Sequence, residues 1–107
     1  FRGGVVSYAP EVKFSVLDVP EGPVVSAGTA AAMARGVRRL LGADVGLGVT
    51  GVAGPDSLEG EPPGTVYLSA VVGDADPVTT RVTLPGDRER VRQFACISLL
   101  DMLRRLL

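Results

Sequence analysis

The stretch from Val45 to Val52 constrains the fold most. Val45, Leu47 and Val49 alternate with Gly46, Gly48 and Thr50, so neither face of an extended chain here is strongly polar. A strand of that kind suits the centre of a sheet covered on both sides. The runs around it can supply the layers. Thr65 to Val72 is strongly β-forming, and Val78 to Leu84 reads as a further strand. In the latter, Thr79, Arg81 and Thr83 mark an exposed face. Val5 to Tyr8 reads as a short strand of β-branched and aromatic residues.

Three helices are expected. Pro10 starts a brief one that continues from Glu11 to Leu17. Ser26 is an N-cap candidate for a second that runs to about Leu41, with Gly42 as its stop. Its apolar stripe is Ala27, Ala30, Ala34, Val37 and Leu41. Residues that small would let the helix lie close to a sheet. Asp87 is the N-cap candidate for the last helix, with Val91, Ala95, Leu99, Met102 and Leu106 as its stripe and Phe94, Ser98 and Leu103 widening it. The order is strand, helix, helix, strand, strand, strand, helix. It predicts one α/β domain of three layers, a mixed β-sheet flanked by helices.

Composition narrows the chemistry. The chain has no His, which removes His-based triads and most zinc sites. A single cysteine, Cys96, excludes an internal disulfide and a cysteine cluster, and its helix position suggests a buried, inert thiol. No metal and no cofactor are expected. Net charge is −1 with the signs mixed, so nucleic-acid binding is not expected. No apolar run approaches the roughly 20 residues of a membrane span, and no signal peptide is visible. A cytoplasmic protein is expected. The chain opens on Phe1 without an initiator Met, directly before a strand pattern. Preceding residues are therefore expected to be absent.

Three segments could carry chemistry. In Thr50-Gly51-Val52-Ala53-Gly54-Pro55, a glycine turn follows the central strand. It reads either as a plain tight turn or as backbone N–H groups set against an anion, with the Thr50 hydroxyl adding a hydrogen bond. It is neither a dinucleotide fingerprint nor a P-loop. In Tyr8-Ala9-Pro10-Glu11-Val12-Lys13, a phenol and an amine could share a proton and activate a hydroxyl nucleophile. The plainer reading is a half-buried Tyr8 and a surface Lys13. In Pro85-Gly86-Asp87-Arg88, an Arg in the first turn of a helix opposes the helix dipole. Arg88 is either simply exposed or placed for a phosphate or carboxylate. Asp56, Glu59 and Glu61 share a Pro/Gly loop, where solvation is expected rather than a cation site.

Taken together, Gly4 to Tyr8 with Glu11 and Lys13, Gly51 to Pro55 with Pro63 to Tyr67, and Gly86 to Arg88 with Val91-Arg92 resemble the CinA C-terminal domain, also called the PncC family. The resemblance covers essentially the whole chain. It implies hydrolysis of the carboxamide of nicotinamide mononucleotide to nicotinate mononucleotide and ammonia, in pyridine nucleotide salvage. It implies a serine nucleophile assisted by a Tyr and a Lys, which here would be Tyr8 and Lys13. Thr50, Gly51 and Gly54 would line the substrate pocket, and Arg88 would hold the phosphate.

The chain also departs from the family pattern. The family's nucleophile lies in an A-E-S-C-T-G-G segment that none of the 107 residues matches. That segment would also supply a helix and part of the sheet, so without it an apolar face is expected to be exposed. Pro10 stands where an Asn is usual, and Glu61 where a Lys is usual. Two other functions remain open. One is a non-catalytic accessory module associated with competence and DNA damage, and the other is a nucleotide-binding module without turnover. The expected partners are a small nucleotide and further copies of the chain.

Overall fold

The computed structural model describes residues 1–107. Its elements in chain order are α1 (Pro10–Val16), α2 (Ala27–Leu41), β1 (Val45–Gly51), β2 (Thr65–Val72), β3 (Val78–Thr83) and α3 (Arg88–Leu106). The capping expectations hold. The Ser26 hydroxyl accepts the Thr29 amide at 3.0 Å, and the Asp87 carboxylate accepts the Arg90 amide at 2.9 Å. Gly42 ends α2 in the left-handed conformation, at φ 60°.

The sheet has the order β1-β2-β3. Gly46 faces Val71 and Thr50 faces Tyr67 across one ladder, and Tyr67 faces Arg81 across the next. All three strands are antiparallel, whereas a mixed sheet was expected. The difference lies at the N-terminus. Val5 to Tyr8 belongs to no strand, because it has no ladder partner to take its backbone groups. The β1 edge on the side away from β2 is therefore unpaired. A groove of about 850 Å³ runs along it, lined by Phe1, Val5, Leu41, Val45, Leu47 and Leu100 among others.

The domain has three layers, with α2 on one face of the sheet and α3 on the other. Val91, Ala95 and Leu99 of α3 form a core with Val66 and Leu68 of β2. On the opposite face α2 presses backbone to backbone onto β1. A Cβ at Gly46 would overlap the Ala34 carbonyl, and one at Gly48 the Ala30 carbonyl. Ala30 and Ala34 are completely buried. The small-residue stripe read from the sequence is thus the packing surface.

The outer side of α3 is not covered. Ile97 is 64% exposed and Leu100 60%, beside a partly exposed Phe94. Exposed apolar surface was expected, but the fate of Cys96 was not. Its thiol is exposed rather than buried. The stripe through Val91, Ala95 and Leu99 fills the inward face, so position 96 is turned one step away from it.

Candidate active site

Lys13 lies on α1 one turn before Leu17, the residue that caps the helix, and both are buried. Leu17 packs with Met33 of α2 and Val19, with Phe14 beside them. That contact draws the Lys13 side chain inward. The residue is only 8% exposed. Its Nζ donates to the Ser7 carbonyl at 2.6 Å. Burial pushes the amine below the usual lysine value of 10.5, and the Glu59 carboxylate partly offsets the shift. A surface lysine is therefore not what the chain contains. Tyr8 shows the reverse: it is 85% exposed, not half-buried. Nothing in the fold draws its phenol and the Lys13 amine into a hydrogen bond.

Thr50 is the next-to-last residue of β1, which lies at the edge of the sheet and not at its centre as the sequence led one to expect, and its side chain is buried on the α2 face. Its hydroxyl donates to the Val24 carbonyl at 2.6 Å. The donor is thereby used, and the oxygen keeps a lone pair for accepting. Gly51 closes β1 opposite Val66 and is exposed. The turn beyond it is pinned at its base, where the Val52 amide donates to the Thr65 carbonyl at 2.8 Å. The Ala53 and Gly54 amides make no hydrogen bond within the chain. The Arg88 guanidinium reaches over from the start of α3 and donates to the Gly54 carbonyl at 3.0 Å. The guanidinium is therefore fastened to the same turn that carries the two unclaimed amides. Thr50, Gly51, Gly54 and Arg88 thus gather around a single turn.

Glu59 was missed by the sequence reading, which left it solvated. Its two carboxylate oxygens accept the Val24 amide at 2.9 Å and the Val25 amide at 2.8 Å. Glu59 and Gly60 form the corner of a two-residue turn between Leu58 and Glu61, with φ of 53° and 77°. Paired positive φ values are those of a tight hairpin turn, for which Gly at the second position was the available signal. Glu61 is not merely solvated either. It accepts from the Tyr67 hydroxyl at 3.1 Å and pairs with Arg81 at 3.2 Å, fastening the loop to the sheet. Among the acidic loop residues the structure shows no group that could hold a metal ion.

The family profile for the CinA C-terminal domain matches residues 1–107. The chain belongs to the CinA C-terminal domain family. A CinA-like protein of Frankia casuarinae is 54% identical over 112 residues, covering 100% of this chain and 26% of the relative. A putative competence-damage inducible protein of Geobacillus kaustophilus is 44% identical, covering 95% of this chain and 27% of the relative. The chain thus spans about a quarter of the length of these curated relatives. Among solved structures, a CinA superfamily protein of Escherichia coli superimposes with a TM-score of 0.88 at 31% identity, covering 94% of this chain and 62% of that one. The competence damage-inducible protein A of Klebsiella pneumoniae gives 0.86 at 32% identity, covering 96% and 68%. These likenesses bear out the α/β fold and the family resemblance. No helix of this CinA-family domain is long and apolar enough to cross a membrane.

In chemical terms the domain offers a desolvated amine on one side and an anion-ready turn on the other. A neutral lysine amine has a lone pair that can take a proton from a hydroxyl. Backbone N–H groups and a guanidinium suit a phosphate or a developing oxyanion.

Proposed function

We propose that this domain forms part of an amidohydrolase that converts nicotinamide mononucleotide to nicotinate mononucleotide and ammonia, in pyridine nucleotide salvage. The observation that carries this reading is the buried Lys13 amine, lowered from 10.5 by desolvation, in a chain with no histidine. Lys13 is the base, taking the proton of a hydroxyl nucleophile. By the family resemblance, that nucleophile would be a serine in an A-E-S-C-T-G-G segment. Arg88 with the Ala53 and Gly54 amides holds the phosphate, and the Thr50 oxygen accepts from the substrate. The exposed phenol of Tyr8 assists once ligand closes over it. The setting is the cytoplasm, and the uncovered Ile97 and Leu100 support a homo-oligomer.

Ammonia release from nicotinamide mononucleotide by the whole protein tests this. Lys13→Ala should lower kcat by about 10²–10⁴-fold, the range for a general base, with the circular-dichroism spectrum retained. Unchanged turnover in that variant would remove Lys13 from the mechanism.

The exposure of Tyr8 favours a second reading, a nucleotide-binding accessory module without turnover. Calorimetry would then show nicotinamide mononucleotide binding to the whole protein with no ammonia released.

A further inference from the structure

A cluster of cations at the other end of the sheet has no part in the chemistry above. Gly46 faces Val71 at that end, whereas Thr50, beside the glycine turn, faces Tyr67. Gly46 and Thr50 are roughly 13 Å apart along the strand, at about 3.3 Å per residue. A cavity of about 220 Å³ opens at the Gly46 end, lined by Arg35, Arg38 and Arg39 of α2 and by Gly73, Asp74 and Ala75 beyond β2. The close fit of α2 on β1 builds it. Gly46 has no side chain, and the Arg38 stem lies directly over it, 2.9 Å from where a Cβ would stand. The head of Arg38 then meets the segment after β1. Its Nε donates to the Asp44 carbonyl at 3.4 Å, and the Gly73 amide donates to the same carbonyl at 2.8 Å. One carbonyl thus ties both the guanidinium and the turn after β2.

The charges lining this cavity do not balance. It carries three guanidinium groups and one carboxylate, and the guanidinium groups stay charged at any working pH. Asp74 pairs with Arg38 at 3.7 Å, but its side chain is fully exposed, so water competes for it. Arg39 reaches only Asp18, at 3.8 Å, and both side chains are more than half exposed. Arg35 makes no ion pair. The helix dipole accounts for Arg38 and Arg39, which lie in the last turn of α2. It does not account for Arg35, which stands one turn earlier and within repulsive range of both. We propose that this cavity is a further anion site, which takes the phosphoryl group of a small molecule. Arg38, steadied by Asp44, and Arg35 donate to its oxygens, and the Asp74 carboxylate is displaced. Phosphate suits the lining because a guanidinium fork matches two of its oxygens at once. The cavity is too small and too polar for a large apolar ligand. The site stands apart from the reading of Lys13 as a base and shares no residue with it.

The test reads binding and not turnover, so its outcome is separate from that of the ammonia assay. Inorganic phosphate is titrated into the whole protein at constant ionic strength, with acetate as the control anion, and amide signals are followed by NMR. Saturable shifts at Gly73, Asp74 and Ala75 are expected with phosphate and not with acetate. No saturable shift, or an equal response to acetate, overturns the proposal. Arg35→Gln and Arg38→Gln should each weaken binding by about tenfold, the loss of one charge-assisted hydrogen bond. Asp74→Asn should tighten it by about two- to five-fold, because a competing carboxylate is withdrawn. Arg35 is exposed and has no ion pair to lose, so its substitution leaves the fold intact even where that of Arg38 does not. Wild-type affinity in Arg35→Gln overturns the proposal, as does weaker binding in Asp74→Asn. Arg88→Gln removes the guanidinium at the glycine turn. The shifts at Gly73 to Ala75 should survive it, and their loss would place the phosphate at that turn instead. A nucleoside monophosphate titrated in parallel identifies the source of the group. Affinity no better than that of phosphate assigns the free ion, tighter binding assigns the phosphoryl end of a larger molecule, and either supports the site.

Discussion

The Thr50 hydroxyl donates to the Val24 carbonyl at 2.6 Å, across 26 residues of sequence. This bond, with the two Glu59 bonds to Val24 and Val25, is what docks the segment before α2 onto the end of β1. Thr50→Val keeps the shape and removes the donor, leaving a part-buried carbonyl unpaired. The expected cost is about 1–2 kcal/mol in urea denaturation. Amide exchange at Val24 and Val25 should speed up, while the centre of β2 stays protected.

Two glycines should respond to alanine in opposite directions. Gly48 lies under the Ala30 carbonyl, where a Cβ meets backbone that cannot move aside. Gly48→Ala is expected to cost about 3 kcal/mol, the upper end for overpacking. Gly28 lies in the first turn of α2 with nothing nearer than 3.9 Å to a new Cβ. Gly28→Ala should stabilise by up to about 1 kcal/mol, through helix propensity alone. Thermal melts of the two variants check both signs.

The Lys13 amine predicts a pH dependence of stability. Below its lowered folded value both states hold the proton, and burying the charge destabilises the fold in full. Between that value and 10.5 the unfolded chain binds more protons than the folded one, so this contribution to stability rises with pH. Above 10.5 both forms are neutral and the penalty is gone. Lys13→Met has no such group. The stability of wild type minus that of Lys13→Met should therefore rise with pH across this window in denaturant titrations. Parallel curves would mean that the amine is not desolvated.

Most of the fold could be read from the sequence because its signals are local. Ser26, Gly42 and Asp87 are caps whose chemistry is complete within a few residues. The strand from Thr65 to Val72 follows directly from its composition. What misled was context. Val5 to Tyr8 has strand propensity, but a strand also needs a neighbour to pair with, and propensity does not provide one. Cys96 sits in an apolar stretch, yet the face that α3 buries is set by Val91, Ala95 and Leu99. The site shows the same division. Lys13 could be named from its residue type, but its burial depends on how Leu17 meets Met33. The acceptors for Thr50 and the donors for Glu59 lie 26 and about 35 residues away, beyond any short motif.

Thr65 provides a last test, because its hydroxyl is a polar group with nothing to bond. The residue is 0% exposed at the start of β2, and its Oγ1 has no hydrogen-bond partner. Its backbone is fully employed: the amide donates to Pro62 and the carbonyl accepts from Val52. The side chain therefore contributes shape and carries the desolvation cost of an unpaired hydroxyl. Valine has the same branching, suits a strand as well and has no hydroxyl. Thr65→Val should stabilise the domain by about 1 kcal/mol, the low end for relieving an unsatisfied buried group. Urea denaturation midpoints would show it as a shift to higher denaturant with the slope unchanged. Because Thr65 lies at the base of the glycine turn, ammonia release by the same variant is informative. Loss of turnover alongside a gain in stability would show that the hydroxyl is kept unpaired within the chain for a ligand.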